Sequence, residues 1–420
     1  MSRQKIIVGL DIGSSNIKVA VAQQREQAEQ AFQILGVGQA KSSGIRRGVV
    51  VDLEETIRNI REAVICAERT SGMQIENAII SLGGGHLGCR QSKGVIAVSR
   101  ADGEVSREDT DRAVSAASAI SLGANREIIQ IIPKQFNVDN QGAIKDPVGM
   151  SGVRLEVDVL IVDGSTPFIK NLVKCLSEAE VGIEGLVPSS LAAARSVLDR
   201  RQKELGVLVL DLGGGTTGFT VFEEGEVLDT CVLPVGSGHI TNDLAIGLRT
   251  SIDVAEKIKL EYGSVLPEEI NKREMINLEK LGGEAGEISR QKVAEIIEAR
   301  ISEIFDLALK RLKQIDRAGL LPAGVVLVGG GAKLPGLVDL AKEKLRLPAQ
   351  VGFPIQFEGI VEQIDDPSFA TVLGLVLWSE DESGEFKAPK MPLANLSRNL
   401  SKKMSPLMKK FRSLIKGIIP

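Results

Sequence analysis

Aromatic residues are only 3% of this 420-residue chain, and Trp378 and Tyr262 are alone of their kinds. Base-stacking platforms are built from such rings, so nucleic-acid binding is not expected. Histidine is scarcer still. His86 and His239 are too few for a His-containing zinc site or a Ser-His-Asp triad, and neither is assigned a catalytic role. Cys66, Cys89, Cys175 and Cys231 are far apart and form no Cys-x-x-Cys pair, which predicts reduced, mostly buried thiols in a cytosolic protein. No run approaches the ~20 apolar residues of a membrane-spanning helix. The first residues do not read as a secretory signal either, because Ile6 to Leu10 is a short strand that ends at a charge.

What remains is a soluble globular composition, 43% hydrophobic and 25% charged, in a chain long enough for about two or three domains. Its charge is unevenly placed. The net charge is −4, yet residues 386–420 hold nine basic residues (Lys387, Lys390, Arg398, Lys402, Lys403, Lys409, Lys410, Arg412, Lys416) and no acidic one. An acidic body with a basic tail calls for an anionic partner. Within 405–420, Leu407, Met408, Phe411, Leu414, Ile415, Ile418 and Ile419 recur at helical spacing, with Lys409, Lys410, Arg412 and Lys416 on the other faces. Too short and too charged to span a bilayer, this segment is expected to lie as an amphipathic helix in an anionic membrane surface, Pro406 in its first turn. A helix packed on the protein body is the plainer alternative.

The most specific pattern is at 205–222. Val207 to Leu210 reads as a buried strand closed by Asp211; three glycines follow, and Phe219 to Phe222 reads as the returning strand. Consecutive glycines permit positive φ and let a ligand reach the amides, the way backbone N–H groups cradle a phosphate, and Thr216 and Thr217 add hydroxyls. An ordinary glycine-rich hairpin would also fit. Residues 8–21 repeat the grammar, however: Asp11 aligns with Asp211, Gly13 with Gly213, and Ser14 and Ser15 with Gly214 and Gly215, at an offset of 200 residues. Two such units predict two similar lobes whose hairpins face each other across a triphosphate. Asp11 and Asp211 would hold hydrated Mg²⁺, a hard ion that takes one or two carboxylates. The pattern G-x-G-x-x-G at Gly83–Gly88 and again at Gly213–Gly218 is not read as a dinucleotide fingerprint, since a strand rather than a helix follows each.

These segments resemble the two phosphate motifs of the actin-like ATPase superfamily. Val325 to Leu337 is similar to its adenosine motif, which implies contacts from Gly329, Gly330, Gly331 and Lys333 and a helix with Pro335 in its first turn. Asp253 to Gly263 is similar to the helix that places Glu256 and Lys259 beside the ribose and base. Asp253 and Glu256 also match a capping box, so a purely structural role for Glu256 stays open. Lys18 is expected to contact phosphate. Val187 to Ala194 resembles the connecting helix at the hinge, and Phe369 to Leu375 the second connecting motif. Val187 and Ser189 offer no carboxylate or amide to position water, and Gly218 stands where many relatives carry Asp. ATP binding with at most slow hydrolysis follows.

The block of Arg126-Glu127, Ile132-Pro133 and Gly149 to Glu156 is more specific and resembles the FtsA family of cell-division proteins, as does Pro234 to Thr241, which implies a nucleotide-site role for Gly236. The implied fold class is α/β, an actin-like two-lobed ATPase fold with an α+β insertion subdomain in the first lobe and a C-terminal amphipathic membrane-binding helix. The expected units are a first lobe core (1–84, completed by 164–200 and 353–380), an inserted subdomain (85–163), a second lobe core (201–222, completed by 304–352), a further subdomain (223–303), a linker (381–404) and the helix 405–420. The resemblance implies ATP and Mg²⁺ as cofactors and a protein that polymerises on the cytoplasmic face of the cell membrane at the division site. Its implied partners are itself, the C-terminal tail of FtsZ via residues 223–303, the anionic membrane and later divisome proteins. A sugar kinase of the same fold remains a rival, although no catalytic Asp at a sugar pocket is visible. So does the pilus-assembly protein PilM, which has a comparable insertion.

Overall fold

The computed structural model describes residues 5–25, 32–284 and 286–379; the expected linker and amphipathic helix lie outside the described residues. The first hairpin, Ile6–Ile12 returning as Asn16–Gln24, is extended antiparallel by Phe32–Lys41 and, on its other side, in parallel by Asn77–Leu82 and then Gly182–Pro188. The second hairpin, Val207–Leu212 returning as Thr217–Glu223, is extended antiparallel by Glu226–Leu233 and in parallel by Val325–Val328 and Ala349–Val351. Both sheets therefore share one strand order and one set of directions. Phe357–Gly359 is an extra strand on the first. This is the two-lobed actin-like α/β architecture.

The local causes are ordinary. Val207 to Leu210 is at most 1% exposed, a continuous apolar run because helices cover both faces of the strand. Helix Leu53–Ser71 buries Ile60, Ala63, Val64 and Ala67, starts at an Asp52 side-chain cap and stops at Gly72 in the left-handed region. Between Asn77–Leu82 and Gly182–Pro188 the chain builds a separate antiparallel sheet of Gly88–Ala97, Arg154–Ser165, Arg126–Val138 and Gln141–Ile144. Helix Arg107–Ser118, opened by the Ser106–Asp109 capping box, packs on it. Pro133 is tolerated there because it faces Val159 next to a register shift.

The segment Pro234 to Thr241 runs into helix Ser237–Leu248, where His239 Nδ1 accepts from Gly236 N at 3.1 Å at the helix start. Some local expectations fail. Helix Ile252–Tyr262 is capped by the Ser251 hydroxyl, not by Asp253, so the Asp253–Glu256 capping box does not form. A 3₁₀ turn, Gly330–Lys333, follows the adenosine-motif strand, and helix Leu337–Leu345 starts after Gly336 at φ 80°; Pro335 is outside it. Val187 and Pro188 end a strand, and the hinge helix is Ser189–Val197. Of the four cysteines only Cys175 is fully buried.

The hinge helix crosses helix Ala370–Trp378 at backbone distance. A Cβ on Gly374 would lie 1.7 Å from the carbonyl oxygen of Ala192. Alanine normally favours a helix over glycine by about 1 kcal/mol. Here the clash is with backbone, which cannot step aside, so Gly374→Ala is expected to destabilise the protein by about 3 kcal/mol net. Urea unfolding followed by circular dichroism measures it; a midpoint equal to or above that of the parent protein refutes so tight a crossing.

Candidate functional site

Asp11 ends the outgoing strand of the first hairpin and faces Lys18 across the ladder; Asp211 holds the same place in the second and faces Gly218. The two carboxylates are close enough to repel across the lobes. Burial, then the charge of Asp11, pushes Asp211 up to about 6. Burial also raises Asp11, against the pull of the Ser81 hydroxyl that donates to it at 2.7 Å and of the Lys18 charge. Thr371 donates to Asp211 at 3.2 Å. Lys18 is buried, donates to the Ser368 carbonyl and sits 4.7 Å over the Phe369 ring, and burial lowers its pKa. Two disfavoured carboxylates against one ammonium leave a place that a cation would stabilise. Among the described residues no cluster of three or more His, Cys, Asp or Glu gathers to hold a metal, so these two carboxylates and water would have to suffice. That donor set fits Mg²⁺.

The hairpin tips meet. A Cβ on Gly214 would lie 1.9 Å from Ser15 Oγ, and one on Gly215 2.6 Å from Ser14 Oγ, an approach only glycine permits. Three tip carbonyls are engaged: Ser15 O accepts from Ser42 N at 2.9 Å, Gly213 O from Ser237 N at 2.8 Å and Gly214 O from Gly238 N at 2.7 Å. The N–H groups of Ser14, Ser15, Gly214 and Gly215 donate to no acceptor among the described residues. Bare donors beside engaged carbonyls suit a ligand rich in oxygen and negative charge, as a phosphate chain is. Gly236 lets the following helix dock on the second tip, since a Cβ there would meet Gly213 O at 2.5 Å.

Other expected residues sort into two groups. Glu256 accepts from Thr241 and, at 2.6 Å, from Lys259, and Lys259 also reaches Thr241 Oγ1 at 2.9 Å. This stands in place of the capping role that the sequence left open for Glu256 and adds Thr241, which the sequence did not single out. Gly329, at φ 83°, lies against Asp211, and Gly331 against Leu212 and Ser237, so the adenosine-motif turn borders the same site. Lys333 is held at 2.6 Å by Asp366 of the first lobe. Thr217 drops out of the ligand set: it is buried and its hydroxyl donates to Val235 O at 2.8 Å. Ser81, Asp366 and Ser368 were missed because they come from distant segments with no motif of their own; Thr371 lies within Phe369 to Leu375, whose resemblance to the second connecting motif marked the segment but not this hydroxyl as a site group.

Among the described residues, Val187, Pro188, Ser189 and Ser190 at the start of the hinge helix bring no carboxylate or amide to the site. Val187 is buried at a strand end, and the Ser190 hydroxyl is engaged with Thr230 Oγ1 at 3.0 Å. A Cβ on Gly218 would lie 2.9 Å from Ser190 Cβ, so the hinge helix leaves no room for a side chain there. A cavity of about 470 Å³ opens elsewhere, between the inserted sheet and Glu226–Leu233, but its lining mixes Lys93 and Lys134 with Asp158, Glu223 and Glu224 and offers no comparable set of donors.

The chain is similar to known proteins in sequence and in fold. A family model described as "Cell division protein FtsA" matches residues 208–374, and one described as "SHS2 domain inserted in FTSA" matches residues 84–163. The cell division protein FtsA of Pseudomonas aeruginosa is 33% identical over 414 residues, covering 98% of each chain. That of Bacillus subtilis is 36% identical over 377 residues, covering 90% of this chain and 84% of its own. Among solved structures, a PilM-PilN type IV pilus biogenesis complex is similar with a TM-score of 0.65 at 17% identity, covering 90% of this chain and 99% of the other. MreB 5 of Spiroplasma citri bound to AMPPNP is similar with a TM-score of 0.53 at 14% identity, covering 91% and 98%. At these identities the solved structures speak for the fold alone.

Proposed function

The chain belongs to the FtsA family of cell-division proteins, and from that premise we propose that it is a nucleotide-gated scaffold that polymerises on the cytoplasmic face of the membrane and ties the FtsZ ring to it. It is an actin-like protein of cell division. One observation carries the nucleotide part: bare amide donors on two touching hairpin tips, with two carboxylates that lack a full complement of cations. Ser14, Ser15, Gly214 and Gly215 would hold the phosphates of ATP, and Asp11 and Asp211 would hold Mg²⁺ through water. The ion would supply the charge neutralisation that Lys18 alone does not. Thr241, Glu256, Lys259 and the Gly329–Gly331 turn would receive the nucleoside, with Thr216 beside the phosphates. Without a group to orient water, hydrolysis would be slow, and the bound nucleotide would serve as a lasting assembly signal.

The partners follow from surfaces. Ile246, Ile252 and Leu260 are 78%, 61% and 72% exposed on helices Ser237–Leu248 and Ile252–Tyr262, which suits the C-terminal tail of FtsZ. The basic tail suits the anionic inner leaflet, and no helix among the described residues is long and apolar enough to cross a membrane. Later divisome proteins would join the assembled filaments. A fluorescent fusion in dividing cells tests the whole reading: a midcell band that disappears when FtsZ is depleted is expected, and polar foci or diffuse signal in cells with intact rings would overturn it.

A further inference from the structure

A small hairpin touches both phosphate tips at once. Ile45 pairs with Val50 and Arg46 with Val49, so its turn residues are Arg47 and Gly48. Both have positive φ, 49° and 73°. A two-residue turn of this kind asks for Asn, Asp or Gly at each place; an arginine is strained there. The turn is wedged in. Gly48 N donates to Ser14 Oγ at 2.9 Å on the first tip, and Arg47 N lies 2.9 Å from where a Cβ on Gly215 of the second tip would be. On its other side a Cβ on Gly84 would lie 3.2 Å from Arg47 O, where the chain passes into the inserted sheet. The side chains of Arg46 and Arg47 are exposed, and neither has a partner among the described residues.

A strained backbone wedged against both tips and bearing an exposed arginine is a functional signature rather than a structural economy. The floor of the site already spends its one buried ammonium, Lys18, beside Asp11. The tips themselves offer only neutral donors to a polyanion. We propose that Arg47 recognises the terminal phosphate of a bound nucleoside triphosphate, so that this turn distinguishes triphosphate from diphosphate and passes the difference to the inserted subdomain through Gly84. The proposal rests on the nucleotide-binding reading above. A planar guanidinium offers two parallel donors to a phosphate, and a terminal phosphate carries more charge than an internal one, so the contact favours the triphosphate.

Calorimetry with AMPPNP and ADP, both with Mg²⁺, on the full chain provides the test. Arg47→Ala should weaken AMPPNP binding about tenfold and leave ADP within twofold, while Arg46→Ala, one residue off the turn, should change neither by more than twofold. Arg47→Asn relieves the backbone and should raise the thermal midpoint of the nucleotide-free protein while losing the same discrimination. If the parent protein binds neither nucleotide, the site itself is misread. If it binds both and Arg47→Ala leaves their ratio within twofold, or Arg47→Asn lowers the thermal midpoint, Arg47 is a structural turn residue and this inference fails.

Discussion

Replacing Asp211 with Asn is expected to weaken Mg-ATP binding at least about a hundredfold, roughly 2.7 kcal/mol, and to leave the nucleotide-free protein as stable as before or more so. The two halves of this expectation have one cause. Asp211 is held beside Asp11 in a site that raises its pKa to about 6, by burial first and by the neighbouring charge second. A carboxyl whose folded-state pKa exceeds its unfolded value loses stability for the protein as pH rises from the lower value through the upper. At pH 7 that cost is fully present, and a neutral amide removes it. Only a cation recovers the cost in the native protein. Removing Mg²⁺ with EDTA should therefore weaken ATP binding to the parent protein by a similar factor and weaken the Asn variant little further. Isothermal calorimetry in four combinations, each protein with and without Mg²⁺, measures the coupling, and thermal unfolding of the ligand-free proteins measures the other half. ATP affinity within threefold of the parent in both Asp11→Asn and Asp211→Asn would show that these carboxylates do not face the nucleotide.

Much of this arrangement was legible in the sequence for a physical reason: its decisive units are local. A strand, an aspartate, a tip of small residues and a returning strand fit within about 15 residues, and the tips need glycine because the lobes touch there, as the 1.9 Å between a Gly214 Cβ and Ser15 Oγ makes plain. Helix Leu53–Ser71 is local in the same sense, since its buried Ile60, Ala63, Val64 and Ala67 recur at helical spacing. What escaped is what contact alone creates. Ser81 bonds Asp11 from 70 residues away, from a strand whose own pattern marks only burial, and Thr371 bonds Asp211 from 160, from a connecting segment in which nothing local singles out its hydroxyl. The helix start near 251 was misread because Ser251 and Asp253 both make acceptable caps two residues apart, and only packing chooses between them. That choice mattered for the site, since it left Glu256 free to join Thr241 and Lys259. Gly218 became intelligible only with the fold in hand. Its place is that of Lys18 in the other hairpin, and Ser190 of the hinge helix fills the space a side chain would need.

Deleting residues 405–420 should reduce co-sedimentation with vesicles rich in anionic lipid to background and leave Mg-ATP binding unchanged. These residues lie outside the described part of the structure, and the expectation comes from their sequence. Lys409, Lys410, Arg412 and Lys416 would each contribute about 1 kcal/mol near an anionic surface. Burial of Phe411, Leu414, Ile415 and their apolar neighbours at the headgroup boundary would add several kcal/mol more, on the order of 25 cal/mol per Å². Together these exceed the roughly 4 kcal/mol that a thousandfold loss requires. The two parts act together, which separates an anchor from nonspecific charge: neutral vesicles should bind the parent protein weakly, and Phe411→Glu with Leu414→Glu at full length, which removes apolar contact and cancels two of the positive charges, should bind anionic vesicles as weakly as the deletion does. One such anchor is reversible, so filaments should bind far more tightly than single molecules, and ATP should strengthen sedimentation only when the tail is present. A truncated protein that sediments with anionic vesicles as the parent does would refute the anchor, and the membrane contact would then have to lie on the folded body.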